Sequence, residues 1–300
     1  MIPLFDLHCD TLTVAFEQGY PLYNSPLHIS FDKCKVFSPY TQIMAIWTND
    51  ALNNADGFSQ YLKIIDFAKN QNIYFSNFHD ETSLFSTFLA LEDLRIIEND
   101  ISRLTKFYND GIRFITPVWK NTTQIGGAWN TSNGLSEFGK KTISFALDLG
   151  ITIDLSHSST QTFYDVFELC FIKGKIPIAT HSNSFSICPH KRNLSDAQFK
   201  DILNANGIVG ISLCPDHLTT NPVANIDDIL RHIDHYLSLD GENNIALGCD
   251  FDGVSTLPAQ IHDISSLTVL YERLLKQYNE TITNKIFRRN SCDLMKRIFI

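Results

Sequence analysis

Several short segments of this chain pair imidazole with carboxylate at spacings that suit a metal ion. Asp6-Leu7-His8-Cys9-Asp10 is the first of them. In an extended segment, alternation puts Asp6, His8 and Asp10 on one face, so an imidazole and a carboxylate two residues apart can grip one ion. Leu91-Glu92-Asp93, Asp154-Leu155-Ser156-His157, Thr180-His181 and Cys249-Asp250-Phe251-Asp252-Gly253 follow. Zinc accepts histidine nitrogen and Asp/Glu oxygen, and one carboxylate can bridge two ions about 3.5–4 Å apart. Glu92 is the candidate bridge. The chemistry such a set supports is metal-assisted hydrolysis.

Groups so far apart in sequence need a scaffold that gathers them. Short apolar runs predict eight strands, at Pro3–Cys9, Gln42–Trp47, Phe88–Leu91, Arg113–Trp119, Ile151–Leu155, Ile176–Thr180, Ile208–Leu213 and Asn244–Gly248. Helical spacing lies between them: Phe58, Leu62, Ile65 and Phe67, then Ile101, Leu104 and Tyr108, and later Ile226, Ile229, Ile233 and Leu237. Gly111, Gly150, Gly207 and Gly241 stand just ahead of strands, where left-handed glycines can end the preceding helices. Eight strands alternating with helices predict an α/β fold, a (β/α)₈ TIM barrel formed as one domain over residues 1–300. Such a barrel presents its chemistry at the C-terminal ends of its strands, and the imidazole and carboxylate groups fall at five of these ends.

With 33 acidic against 24 basic residues, the formal net charge is −9. No Lys/Arg stripe is present to hold a polyanion, so nucleic acid is excluded as the expected partner. No apolar run approaches a bilayer span, and Met1 is followed at once by a strand-like segment rather than a leader, which predicts a cytoplasmic protein with no membrane partner. The seven cysteines are scattered without a CxxC pair and read as packed thiols. Of the remaining histidines, His28, His79, His217, His232, His235 and His262 are expected in solvated roles. His190, beside Lys191-Arg192, is the least secure of this group.

Taken in order, these motifs resemble the renal, or membrane, dipeptidase family, peptidase family M19 of the amidohydrolase-like barrels. Asp6 to Leu12 is similar to the family's opening D-x-H-x-D motif. Glu92, Leu104, Tyr108, Gly111, Arg113, Phe114 and Thr116 follow its signature spacing. Asp154 to Ser159 and Thr180 to Asn183 are similar to its two histidine elements. Cys188, Arg192, Asn193, Leu194 and Asp196 match the run that follows them, and Gly248 to Val254 closes the pattern. The resemblance spans nearly the whole chain. Two departures stand out: Asp93 and Leu94 occupy positions where the family usually has two glycines, and Trp119 replaces the histidine that polarises the scissile carbonyl in vertebrate-type members, as in bacterial branches.

The resemblance implies a metallodipeptidase with two Zn²⁺ per chain, one held by His8, Asp10 and Glu92 and the other by Glu92, His157 and His181. It implies a metal-bridging hydroxide as nucleophile, with Asp250 as the catalytic carboxylate that moves its proton. Arg192 would bind the carboxylate of a small dipeptide, L,D-dipeptides included, and Trp119 would line the substrate pocket. Phe251 either lines that pocket or plugs the rim. Asp6, Asp154 and Asp252 either orient ligand imidazoles or make structural hydrogen bonds. The alternatives are a metal-dependent hydrolase of another small amide, lactone or phosphoester, and a catalytically silent zinc-binding barrel. The sequence leaves the oligomeric state open, with a homodimer as one possibility.

Overall fold

The computed structural model describes residues 1–71 and 85–299. Seven strands are formed: β1 (Ile2–Cys9), β2 (Phe37–Trp47), β3 (Phe85–Glu92), β4 (Ile112–Thr116), β5 (Thr152–Ile153), β6 (Val209–Ile211) and β7 (Ile245–Leu247). They build one parallel sheet in the order β5-β4-β3-β2-β1-β7-β6, with helices in the connections. Each neighbouring pair is parallel, so all the strands deliver their C-terminal ends to one rim. There Trp47 pairs with Glu92 and Glu92 with Thr116, which places three pocket-level residues side by side.

The expected strand Ile176–Thr180 forms no ladder. It makes two isolated parallel bridges, Asp154 with Ile178 and Ala179 with Val209, one toward each edge strand of the sheet. The architecture is thus a curled, TIM-barrel-like α/β sheet of seven strands among the described residues. The missing ladder has a local cause. Asp154 takes over Thr180: its carboxylate accepts the Thr180 amide at 2.9 Å and the Thr180 hydroxyl at 2.5 Å, so the backbone bonds made at Ile178 and Ala179 do not extend to Thr180.

Two cores flank the sheet. The larger lies between sheet and helices, and the smaller gathers Phe5, Leu7, Ile43, Ala45, Phe88, Ala90, Phe114, Ile178, Ile208 and Ala246 with Leu294 and Met295 of the C-terminal helix. The second set draws on five of the strands, on Ile208 just before β6 and on the Ile178 segment, as the inward-facing side chains of a curled parallel sheet should. Helix faces differ from expectation in detail: in Asn54–Asn70 the buried stripe is Tyr61, Ile64, Ile65 and Ala68, with Phe58, Leu62 and Phe67 only half-buried. Ile226, Ile229 and Ile233 are buried as expected.

Gly111 and Gly150 adopt φ of 104° and 83°. Gly207 and Gly241 do not: Asn206 (58°) and Asp240 (66°), one residue earlier, carry the left-handed turn. Those two glycines serve close packing instead, since a Cβ would collide with the Pro177 carbonyl at 207 and with Phe199 at 241.

Candidate metal centre

His8 and Asp10 come from the end of β1, Glu92 from the end of β3, and His157 and His181 from the segments after β5 and at the Ile178 bridges. Asp250 follows β7. The structure brings all six together. His8 Nε2 lies 3.6 Å from Asp10 Oδ2, 3.8 Å from Glu92 Oε2 and 4.0 Å from Asp250 Oδ1. On the other side, Glu92 Oε1 lies 3.0 Å from His157 Nε2 and 3.6 Å from His181 Nε2. Glu92 therefore offers one oxygen to each of two ligand groups, His8/Asp10/Glu92 and Glu92/His157/His181.

The tautomers favour a cation. His157 Nδ1 meets the Trp119 carbonyl at 3.1 Å, and a carbonyl only accepts, so Nδ1 holds the proton and Nε2 presents its lone pair. Thr180 donates its hydroxyl proton to Asp154, which leaves that oxygen to accept from His181 Nδ1 at 2.8 Å and frees His181 Nε2 in the same way. The two Nε2 atoms then face each other at 2.9 Å. Burial, reinforced by Arg192 and His8, holds both imidazoles well below the usual histidine range, so they are neutral. Two opposed lone pairs are repulsive unless an electrophile sits between them.

The acids point the same way. Burial raises Glu92, Asp10 and Asp250 above the ordinary carboxylate range, and their mutual repulsion adds to it for the last two. Burial disfavours a charged His8, but Glu92, Asp10 and Asp250 outweigh it and push His8 up to about 10. His8 Nε2, Asp10 Oδ1 and Glu92 Oε1 are buried without a hydrogen-bond partner among the described residues. Unsatisfied buried atoms of this kind are costly, and divalent cations would satisfy all three.

Strain concentrates here too. Asp93, His157, Asp250 and Asp252 have φ of 75°, 66°, 62° and 65°, a region costing non-glycine residues about 1–3 kcal/mol each. At 93 the backbone takes a conformation that glycine adopts freely. Aspartate fills the position by accepting the Arg95 amide at 3.0 Å and lying 3.5 Å from Arg95 Nε, so its charge faces Arg95. Even so, burial pushes Asp93 up to about 7. Arg95 in turn bonds the Thr48 and Asn49 carbonyls, tying the loop after β2 to the rim.

A cavity of about 270 Å³ opens onto the cluster, lined by Asp10, Glu92, Trp119, His157, His217 and Asp250 among others. Trp119 packs edge-on against Trp47 at 5.1 Å. Phe251 is fully buried and is absent from that lining, which settles it as a core residue. A second cavity of about 730 Å³ shares His157 as a wall and is lined by Arg192 and Trp129. Arg192 is buried, and donates to Ser182 Oγ and the His181 carbonyl at 3.1 Å each.

The neighbouring aspartates are structural. The Asp6 carboxylate accepts the Cys249 amide at 2.8 Å and stands apart from the ligand groups, because the β1–β2 register shifts between Asp6 and Cys9 and breaks the simple alternation. Asp252 takes the Thr11 hydroxyl and the His28 amide, fixing the loop before residue 31 to the rim. Asp154 bonds Thr116 and Ser156 as well as Thr180, and reaches His181 only through that threonine.

Solvated roles were expected of the other histidines, and four of them are placed otherwise. His28 accepts the Asp252 amide, and His232 is fully buried between the Ser184 amide and the Leu218 carbonyl. His235 pairs with Asp196 at 2.8 Å, and His217 lines the smaller cavity. His262 is exposed, and His79 lies outside the described residues.

A curled parallel sheet with outer helices, carrying three imidazoles and three acids at its C-terminal rim, defines a metal-dependent hydrolase of TIM-barrel-like fold. The chain belongs to the membrane dipeptidase family (peptidase family M19), whose pattern it matches over residues 1–298, and so to the metallodipeptidases. It is 32% identical over 210 residues to an uncharacterised protein of the pqqA 5′ region in Klebsiella pneumoniae, covering 65% of this chain and 76% of that one. It is 27% identical over 234 residues to an uncharacterised dipeptidase of Schizosaccharomyces pombe, covering 75% of this chain and about half, 54%, of that one. In fold it resembles a Rhodobacter sphaeroides metallopeptidase liganded with a phosphinate mimic of the dipeptide L-Ala-D-Ala, with a TM-score of 0.90, 24% identity and 99% of each chain covered. No helix of the described residues is long and apolar enough to cross a membrane.

Proposed function

We propose that the chain hydrolyses small dipeptides with two zinc ions, held by His8, Asp10 and Glu92 and by Glu92, His157 and His181. The observation that carries this is the split of Glu92, with Oε2 toward His8 and Oε1 toward His157 and His181. Bound there, such ions would bring the pKa of water toward neutrality and neutralise charge developing on the scissile carbonyl. Asp250 then takes the proton of the attacking water and passes it to the leaving amine. Arg192 holds the terminal carboxylate, and Trp119 forms the wall beside the scissile bond. Together the bridges at Ile178 and Ala179 support closure of the sheet into an eight-segment barrel around this pocket.

The Rhodobacter protein is liganded with a mimic of L-Ala-D-Ala, which supports including L,D-dipeptides among the substrates tested. The same reading puts the enzyme in the cytoplasm, in keeping with buried thiols at Cys9, Cys34, Cys170, Cys188 and Cys249, as a monomer or homodimer. The test is bound metal per chain by elemental analysis, with hydrolysis of L,L- and L,D-dipeptides measured with and without chelator. About two zinc ions per chain and chelator-sensitive cleavage are expected. Zinc without any cleavage would sink the substrate assignment, and absence of metal after reconstitution would sink the ligand set.

A further inference from the structure

Besides the ligand imidazoles, the cavity lined by Trp119 contains another imidazole that the motifs do not account for. His217 sits in the four-residue helix Pro215–Leu218 that follows β6. It lines the same cavity as Glu92, His157, Trp119 and Asp250. Its ring packs on His190 at 4.8 Å, and His190 packs on Trp129 at 5.5 Å, so the imidazole stands on an aromatic wall.

Its backbone is fixed by the loop that carries Arg192. Asn193 Nδ2 donates to the His217 carbonyl at 2.8 Å, and the His217 amide bonds the Cys214 carbonyl at 3.0 Å. The side chain, by contrast, is unsatisfied. Nδ1 is buried without a partner, and the ring makes no hydrogen bond to any described residue. Burial and the adjacent Arg192 hold the imidazole well below the usual range, so it is a neutral ring with one N–H to give. A polar ring fixed from behind, left unpaired and facing a substrate cavity costs stability unless a ligand completes it.

Resting on the dipeptidase reading above, we propose that His217 is a substrate-binding residue that donates to the C-terminal carboxylate of the dipeptide alongside Arg192. The assignment to the carboxylate, rather than the scissile carbonyl, follows from position. Asn193, the residue after Arg192, holds the His217 carbonyl at 2.8 Å, and the cavities that Arg192 and His217 line share His157 as a wall. With two of its N–H groups committed to Ser182 and the His181 carbonyl, Arg192 leaves part of the carboxylate's hydrogen-bonding capacity to a second donor.

The zinc-loaded full chain is assayed as unmodified enzyme, His217→Phe and His217→Gln on one dipeptide and on the same dipeptide with a C-terminal amide, with zinc content and melting temperature measured for each. Loss of one hydrogen bond to a charged group predicts KM for the free dipeptide about 10- to 100-fold higher in His217→Phe, with kcat and zinc content held. His217→Gln, which keeps a donor, recovers part of the loss, and the amide substrate shows no comparable change. A fall in kcat for both substrates at constant KM would move His217 to the carbonyl and overturn the assignment, as would unchanged kinetics. If the unmodified enzyme cleaves neither substrate, the dipeptidase reading itself fails, and the role of His217 fails with it.

Discussion

Asp250 and Arg192 test the chemistry at the level of single side chains. Asp250 Oδ1 lies 4.0 Å from His8 Nε2 but falls outside both groups that share Glu92. Asp250→Asn keeps shape and removes the proton acceptor. Zinc content is expected to stay within error while kcat drops by about 10²–10⁴-fold, the span of general acid–base catalysis. Retained turnover would remove Asp250 from the proton path. For Arg192→Ala, KM for free dipeptides is expected to rise about 10- to 100-fold, the worth of a hydrogen bond to a charged group. Much of this site was legible in sequence because its residues punctuate strand ends. His217 was not, since it lies six residues beyond β6 inside a short helix, where histidines are ordinarily solvated. The one available signal was its place in the loop after a rim strand, Cys214-Pro215-Asp216-His217.

At the scale of elements, seven of the eight expected strands form, because β-branched and aromatic runs bounded by polar residues report extended backbone well. The eighth run, Ile176–Thr180, has the same composition and makes backbone bonds at Ile178 and Ala179, but its Thr180 amide goes to the Asp154 carboxylate, a long-range partner that local pattern does not encode. The Gly207 and Gly241 discrepancy is similar in kind: sequence shows that a glycine is needed near a turn, not whether φ or a close neighbour requires it. Close approach also yields a prediction. A Cβ on Gly248 would collide with the Thr180 carbonyl oxygen, so backbone would have to move where β7 meets the histidine-bearing segment. Gly248→Ala is expected to lower the melting temperature, on the order of 1–3 kcal/mol of overpacking, and to weaken zinc retention by displacing His181. A Cβ on Gly253 would collide with Asp10 Oδ2 and Asp250 Oδ1 instead. Gly253→Ala should therefore impair activity and zinc binding with a smaller change in melting temperature.

For the whole molecule, the centre makes stability depend on pH and metal together. Without zinc, the folded chain holds a proton on His8 up to about 10, whereas the unfolded chain releases it near 6.5. Asp93, raised to about 7, and Asp250, raised by burial, add to the protons the fold retains. His157, His181 and His217 work in the opposite sense, because their folded pKa values are depressed. Their effect is confined to pH below the unfolded value and is spent above about 6.5. Above pH 7 the folded state therefore binds more protons than the unfolded one, and stability falls as pH rises, by about 1.4 kcal/mol per pH unit for each proton retained. The His8 contribution runs on to about pH 10, and above about 8.5 the raised thiols of Cys9 and Cys249 add to the fall with the same sign. On the proposed two-zinc reading, metal would reverse the dependence by replacing those protons as the counter-charge, since its ligands bind better when deprotonated. Thermal melts at pH 7.0 and 8.5 should then show the chelated protein losing about 2–4 °C for each kcal/mol of that fall, while the increment gained on adding zinc grows over the same interval. A chelated protein whose melting temperature is flat across that interval would mean that the acids around His8 do not hold its proton, and that the charge at the rim is balanced by protein groups rather than by metal.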